Sequence, residues 1–158
     1  MRVALLTISD SVSRGTHKDA SGPALAERCV QLGWKVLGTH IVPDEEGVIR
    51  ARLIEMAESG MVDIILTTGG TGIGPRDVTP EATYGVCTRV IPGMSELMRD
   101  AGRHANPRAA LSRALAGVRQ QTIIVNLPGS PRGAVESFNA VAALLPHAIE
   151  VLHGARHD

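Results

Sequence analysis

A chain of 158 residues, 44% hydrophobic and 20% charged, has the composition of one globular domain able to bury a sizeable core. Lys+Arg and Asp+Glu are equal at 16 each, and only one Trp, one Tyr and one Phe offer rings for base stacking, so no nucleic-acid partner is expected. No stretch approaches the length of a membrane span, and the apolar start at Val3 to Ile8 is too short for a signal-peptide core, so no membrane is expected and the cytoplasm is the expected location.

Val3 to Ile8 reads as a buried strand, ended by the polar segment Ser9 to Ser13. Leu25, Cys29 and Leu32 then fall at helical spacing, with Ser21 as the expected N-cap, Pro23 in the first turn and Gly33 as the stop. Lys35 to Val42 is the next strand, closed by Pro43 and Asp44. Ile49, Leu53 and Met56 mark a second amphipathic helix that ends before Gly60. Val62 to Thr67 is a third strand, running directly into a glycine turn. Pro80 suits the start of a short helix near Glu81 to Gly85, and Gly93 to Arg103 reads as another helix. Thr122 to Leu127 is a further strand, stopped by Pro128 and Gly129. A last helix starts near Arg132, buries Val135, Phe138 and Ala142, and kinks or restarts at Pro146.

Strands alternating with helices predict a single three-layer α/β/α domain over residues 1–158, with a mostly parallel sheet covered on both faces. In such sheets ligands sit beyond the carboxyl ends of the strands. Four polar or glycine-rich segments fall there: Ser9-Asp10, Pro43-Asp44, Gly69 to Asp77, and Pro128-Gly129-Ser130. Gly69, Gly70, Gly72 and Gly74 would let backbone N–H groups approach an anion, with Thr68 and Thr71 adding hydroxyl donors. No Lys-Ser/Thr follows, so this is not a Walker loop, and Pro75 spoils Gly-x-Gly-x-x-Gly. Asp44 and Asp77 could together hold magnesium, which takes one or two carboxylates plus water and phosphate. The same residues also fit plainer roles: a tight turn without ligand, a turn aspartate after Pro43, and a helix cap before Val78.

Cys29 and Cys87 stand apart without metal spacing and are expected to be reduced. The six histidines, His17, His40, His104, His147, His153 and His157, are scattered. Ser130 lies in Pro-Gly-Ser-Pro rather than a nucleophile elbow, so no covalent nucleophile is expected.

Together these motifs resemble the molybdopterin adenylyltransferase family, which includes MogA/MoaB-like proteins and the gephyrin G domain. The resemblance runs from about Val3 to Leu152. It rests first on Thr67-Thr-Gly-Gly-Thr-Gly72 and Arg76-Asp-Val-Thr-Pro-Glu-Ala-Thr83. Ser9-Asp10, Asp19-Ala-Ser-Gly-Pro23, Pro43-Asp44, Pro92-Gly-Met-Ser-Glu96, Leu111-Ser-Arg113, Asn126-Leu-Pro-Gly-Ser-Pro131 and Leu145-Pro-His-Ala-Ile149 support it. It implies transfer of AMP from ATP to molybdopterin, with release of pyrophosphate, in molybdenum cofactor biosynthesis. By motif match, Thr68, Gly69, Gly70, Thr71, Gly72, Gly129 and Ser130 would hold the nucleotide. Asp44 and Asp77 would be catalytic and carry Mg²⁺, while Ser9, Asp10, Ser21, Gly22 and Ser112 would face the pterin. The resemblance also implies a homotrimer and a molybdate-inserting partner enzyme. Two alternatives stand beside it: a non-catalytic molybdopterin- or nucleotide-binding scaffold, and a CinA-like nucleotide-processing enzyme, for which the chain is short.

Overall fold

Six consecutive residues from Val3 to Ile8 avoid charge because they have two apolar faces to fill. In the computed structural model, which describes residues 1–156, this segment is strand β1 (Arg2–Ile8). Val3 and Leu5 pack to one side with Leu25, Cys29, Met94 and Phe138, whereas Ala4, Leu6 and Ile8 pack to the other with Ile49, Leu53, Ala82 and Val86. The period of two along a strand makes this split. An apolar run buried on both faces is what a parallel sheet demands.

The remaining strands are β2 (Lys35–Val42), β3 (Ile64–Thr68), β4 (Arg89–Val90), β5 (Ala116–Arg119) and β6 (Thr122–Leu127), in the spatial order β2-β1-β3-β6-β5-β4. β2, β1, β3 and β6 are parallel; β5 runs antiparallel to β6 and β4 antiparallel to β5. The helices are α1 (Asp10–Ser13), α2 (Ser21–Gln31), α3 (Glu46–Glu58), α4 (Thr79–Val86), α5 (Pro92–Ala105), α6 (Pro131–Ala142) and α7 (Leu145–Leu152), with a 3-10 turn at Pro107–Leu111. Residues of α2, α5, α6 and α7 fill one face of the sheet; those of α3 and α4 fill the other. The expected α/β/α layering is therefore present. Phe138 is completely buried and meets Trp34 edge to face, ring centroids 5.6 Å apart.

Some local expectations need correction. Ser21 does not cap α2 but is its first residue; Asp19 does the capping, its Oδ1 accepting from Gly22 N at 3.0 Å. A carboxylate two residues before the helix reaches the exposed amide while it also accepts from the Thr7 hydroxyl at 2.8 Å. Val135 is only half-buried; Ala134, Phe138 and Val141 are the fully buried residues of that face. The last helix ends at Ala142, and the chain restarts at Leu145 with a 57° change of axis, which places Pro146 in a first turn where its missing N–H does no harm. No single described helix is long and apolar enough to cross a membrane. Cys29 and Cys87 are both free, and burial pushes each thiol up to about 11.

Candidate active site

The parallel strands end together. Ile8 lies beside Val42, Thr7 beside Thr68, and Thr68 beside Leu127, so the four following segments leave the sheet side by side. Each strand must therefore deliver its polar loop to the same edge.

The glycine turn is held from beneath. Gly69 N donates to Leu127 O at 3.0 Å, and the Thr68 hydroxyl donates to Pro128 O at 2.6 Å. Thr79 closes the other side, its hydroxyl donating to Gly69 O at 2.9 Å and its amide to Gly70 O at 3.1 Å. Gly69 and Gly70 have φ of 104° and 66°, in the left-handed region that favours glycine. A Cβ on Gly69 would strike the Ile8 carbonyl, and one on Gly70 would strike Thr79 Oγ1 and approach Asp44 Oδ1 to 3.0 Å. Behind the turn, buried Asn126 donates through Nδ2 to Thr67 Oγ1 and Thr83 Oγ1, at 3.0 and 2.9 Å, locking β3, β6 and α4 together. Thr68 therefore lines the site without offering its proton to an anion, contrary to the expectation of a hydroxyl donor there.

Asp10 and Asp44 grip each other's backbone. Asp10 N donates to Asp44 Oδ2 at 2.9 Å, and Asp44 N donates to Asp10 Oδ1 at 3.0 Å. Arg76 then forks onto Asp10, with Nε to Oδ2 at 3.0 Å and Nη2 to Oδ1 at 3.1 Å. That hydrogen-bonded guanidinium, with help from the Asp44 amide, holds the Asp10 carboxyl below its ordinary value. The Asp44 carboxyl is pushed up instead, mainly by burial, with the charges of Asp10 and Asp77 adding to the rise against the Asp10 amide. Asp77 turns back on its own loop, Oδ2 accepting from Gly74 N at 2.9 Å, and does not cap α4. Asp44 Oδ1 and Asp77 Oδ1 have no hydrogen-bond partner among the described residues. Two carboxylates whose charges oppose each other, each with an oxygen to give, suit a hard divalent cation. Among the described residues no group of three or more His, Cys, Asp and Glu forms a metal cluster, and His157 lies outside those residues. Magnesium shared with substrate phosphates needs no such cluster.

Two cavities flank the turn. A cleft of about 310 Å³ is lined by Ser9, Ser21, Asp44, Thr68, Gly69, Gly70, Asp77 and Gly129, with Lys18 and Asp19 at its side. A larger cavity of about 500 Å³ is lined by Thr71, Gly72, Ser112 and Ser130, with Arg99, Arg108 and Arg132. Ser112 is thus not gathered with Ser9 and Ser21. Gly22 packs tightly behind the smaller cleft, where a Cβ would meet Thr7 Oγ1 at 2.9 Å. The Ser130 hydroxyl caps α6, accepting from Gly133 N at 3.1 Å.

Residues 4–147 match the family described as probable molybdopterin binding domain. The chain belongs to this molybdopterin-binding family. It is 39% identical over 156 residues to the molybdopterin adenylyltransferase of Helicobacter pylori strain J99, covering 98% of this chain and 89% of that one. It is 37% identical over 168 residues to the Escherichia coli K12 molybdopterin adenylyltransferase, covering 98% and 86%. The crystal structure of the molybdopterin biosynthesis enzyme MoaB from Thermus thermophilus matches with a TM-score of 0.91 at 46% identity, over 99% of both chains.

Within this molybdopterin-binding domain, the sequence singles out Asp44, Asp77, the glycines and Asp10, the last for the pterin rather than for its bond to Asp44, but gives no role to the other side chains that hold them. Asp19 and Arg76 stand in the sequence only as parts of longer motifs. Arg113 is equally inconspicuous in the sequence, yet its Nε donates to Gly72 O at 2.8 Å and its Nη2 to Asp77 O at 2.8 Å. A lone arginine carries no periodic signal, and its side-chain partners lie far away along the chain, so only the fold could reveal it.

Proposed function

We infer that the chain transfers the adenylyl group of ATP to molybdopterin with release of pyrophosphate, as a magnesium-dependent nucleotidyltransferase of molybdenum cofactor biosynthesis. The observation that carries this reading is the meeting of Asp44 and Asp77 in one cleft beside the glycine turn, in a member of this family. The work is positioning and charge neutralisation. A phosphate oxygen of the pterin attacks the α-phosphorus of ATP. The bond from that phosphorus to the oxygen bridging to the β-phosphorus breaks, and its electron pair leaves with pyrophosphate. Asp44 and Asp77, each with a carboxylate oxygen free of hydrogen bonds among the described residues, would hold magnesium, which would supply neutralisation of phosphate charge. Backbone amides of the turn from Gly70 to Gly72, with Gly129 and Ser130, receive the nucleotide phosphates, while Gly69, its amide spent on Leu127 O, shapes the turn. Asp10 serves chiefly to fix Asp44, since both its oxygens are engaged. The pterin side takes Ser9 and Ser21 from the smaller cleft, with Gly22 packed behind them, or Ser112 from the larger cavity, and the turn is the wall the two share.

Incubation with ATP, magnesium and molybdopterin should release pyrophosphate in step with adenylylated pterin. Binding of both ligands without release would instead make the chain a scaffold. The chain acts as one domain in the cytoplasm, assembles as a homotrimer and passes its product to a molybdate-inserting enzyme. Light scattering at micromolar concentration should report three copies of the 16.6 kDa chain, and a monomer would contradict that assembly.

A further inference from the structure

We propose that Arg113 is the positioning residue for Asp77, setting the metal-binding geometry of a loop that otherwise has little to hold it. The inference rests on the reading of Asp77 as a magnesium ligand. Between Gly72 and Asp77 the chain runs through Ile73, Gly74, Pro75 and Arg76, all exposed. No sheet or helix bond fixes this stretch, and its internal ties are Gly74 N to Asp77 Oδ2 and Asp77 N to Gly74 O. These define the loop's shape but not its place. Arg76 reaches across to Asp10, and its side chain is 60% exposed against 40% for Arg113, so water screens that pair more.

Arg113 supplies the place by gripping both ends. Its guanidinium donates through Nε to Gly72 O at 2.8 Å and through Nη2 to Asp77 O at 2.8 Å. Its Nη1 meets both oxygens of Glu81 on α4, at 2.5 and 2.9 Å, and its backbone N donates to Thr71 O at 2.8 Å. All three nitrogens of one planar fork are thus committed to a segment that starts before Asp77 and ends after it. A lysine could keep the Glu81 charge pair but not reach two carbonyls and a carboxylate in one plane. Arg113 is itself seated by its neighbours in the chain, where Arg99 Nη1 donates to Ser112 O at 3.3 Å and Ala114 O at 3.1 Å. Because Ser112 lines the larger cavity and Asp77 the smaller cleft, Arg113 is also the mechanical joint between them.

The test uses the full chain with a non-hydrolysable ATP analogue and Mn²⁺ as a spectroscopic probe of the metal site. Electron paramagnetic resonance should show Mn²⁺ affinity falling about 10–100-fold in Arg113→Ala, the range typical when an outer partner of a metal ligand is lost. Steady-state turnover should fall with it, while KM for ATP changes less, because the turn keeps its main-chain bonds from Gly69 N to Leu127 O, Thr79 N to Gly70 O and Arg113 N to Thr71 O. Arg113→Lys should recover little of the loss; full recovery would mean that charge alone matters and would overturn the proposal. Unchanged Mn²⁺ affinity in a folded Arg113→Ala would also overturn it. If the alanine variant does not fold, Arg113→Lys decides by the same titration, a loss of affinity supporting the proposal. Asp77→Asn run alongside separates the two levels. Wild-type Mn²⁺ affinity in that control would fail the reading of Asp77 itself, whereas loss there with none in Arg113→Ala would fail only the role of Arg113.

Discussion

The segments carrying Asp44 and Asp77 reach the same cleft by opposite means. Pro43 to Glu45 is a short link between β2 and α3, and Asp44 is fixed there by paired bonds with Asp10 that involve both backbones. The loop from Gly69 to Val78 is longer; its base is seated by main-chain bonds, but the part holding Asp77 hangs on side chains. One carboxylate is thus set by the sheet, the other by a tie that a single substitution can cut.

The largest expected effect removes the charges while keeping the shapes. Asp44→Asn and Asp77→Asn should fold normally, yet turnover should fall by roughly 10²–10³-fold, the scale for loss of a key electrostatic stabiliser. The amide oxygen introduced by Asp77→Asn could still accept from Gly74 N, so loop geometry should survive and the loss would report charge. Near-normal adenylyl transfer in both variants would end the catalytic reading of the pair.

A pair of glycine substitutions sharpens the contrast between main-chain and side-chain support. Gly69→Ala drives a methyl against the Ile8 carbonyl at a φ of 104°, and backbone cannot step aside. It should destabilise the fold by about 1–3 kcal/mol, seen as a lower thermal midpoint. Gly72 has no such φ, and its nearest obstacle is a side-chain atom, Asp77 Oδ2 at 2.9 Å. Gly72→Val should therefore leave the circular-dichroism spectrum nearly unchanged while weakening ATP binding. Unaltered nucleotide affinity would favour a turn that binds nothing.

The parts legible in the sequence were those with their own periodicity or punctuation. β2 and β6 run over the residues the pattern predicted, Lys35 to Val42 and Thr122 to Leu127, because continuous apolar or alternating runs end at Pro-Asp and Pro-Gly. β5 escaped because Ala116 to Arg119 contains a glycine and only one large apolar residue, and its two-residue turn into β6 is Gln120-Gln121. Gln120 adopts φ of 50° there, a role that Asn or Gly would have signalled. β4 is two residues long and takes its shape only by pairing with β5. In the site, strand ends and glycines pointed to the correct edge of the sheet. Which residues share a cavity was hidden, as the separation of Ser112 from Ser9 and Ser21 shows, since that depends on which side of the turn each loop descends.

The smallest expected effect concerns stability rather than rate, and its sign follows from the unlike treatment of two neighbouring carboxyls. Asp44 has a folded value raised above the ordinary 3.8, chiefly by burial, so the folded chain binds that proton more tightly than the unfolded chain does. Its contribution to stability falls as pH rises from 3.8 through the raised value, and the ionised group opposes folding at neutral pH. Asp10, held below 3.8 by Arg76, does the reverse: it supports the fold above 3.8 and loses that support as pH falls through its lowered value. In metal-free protein at neutral pH, Asp44→Asn should therefore raise the thermal midpoint slightly, while Asp10→Asn should lower it. Magnesium with a non-hydrolysable ATP analogue should reverse the ranking for Asp44, because a ligand that binds only the folded state stabilises the wild type by mass action and the variant much less. The measurement is a set of thermal scans across pH, with and without both ligands. A metal-free Asp44→Asn that melts below the wild type at neutral pH would show that the ionised, buried Asp44 does not oppose folding, and the contrast with Asp10 would lose its electrostatic basis.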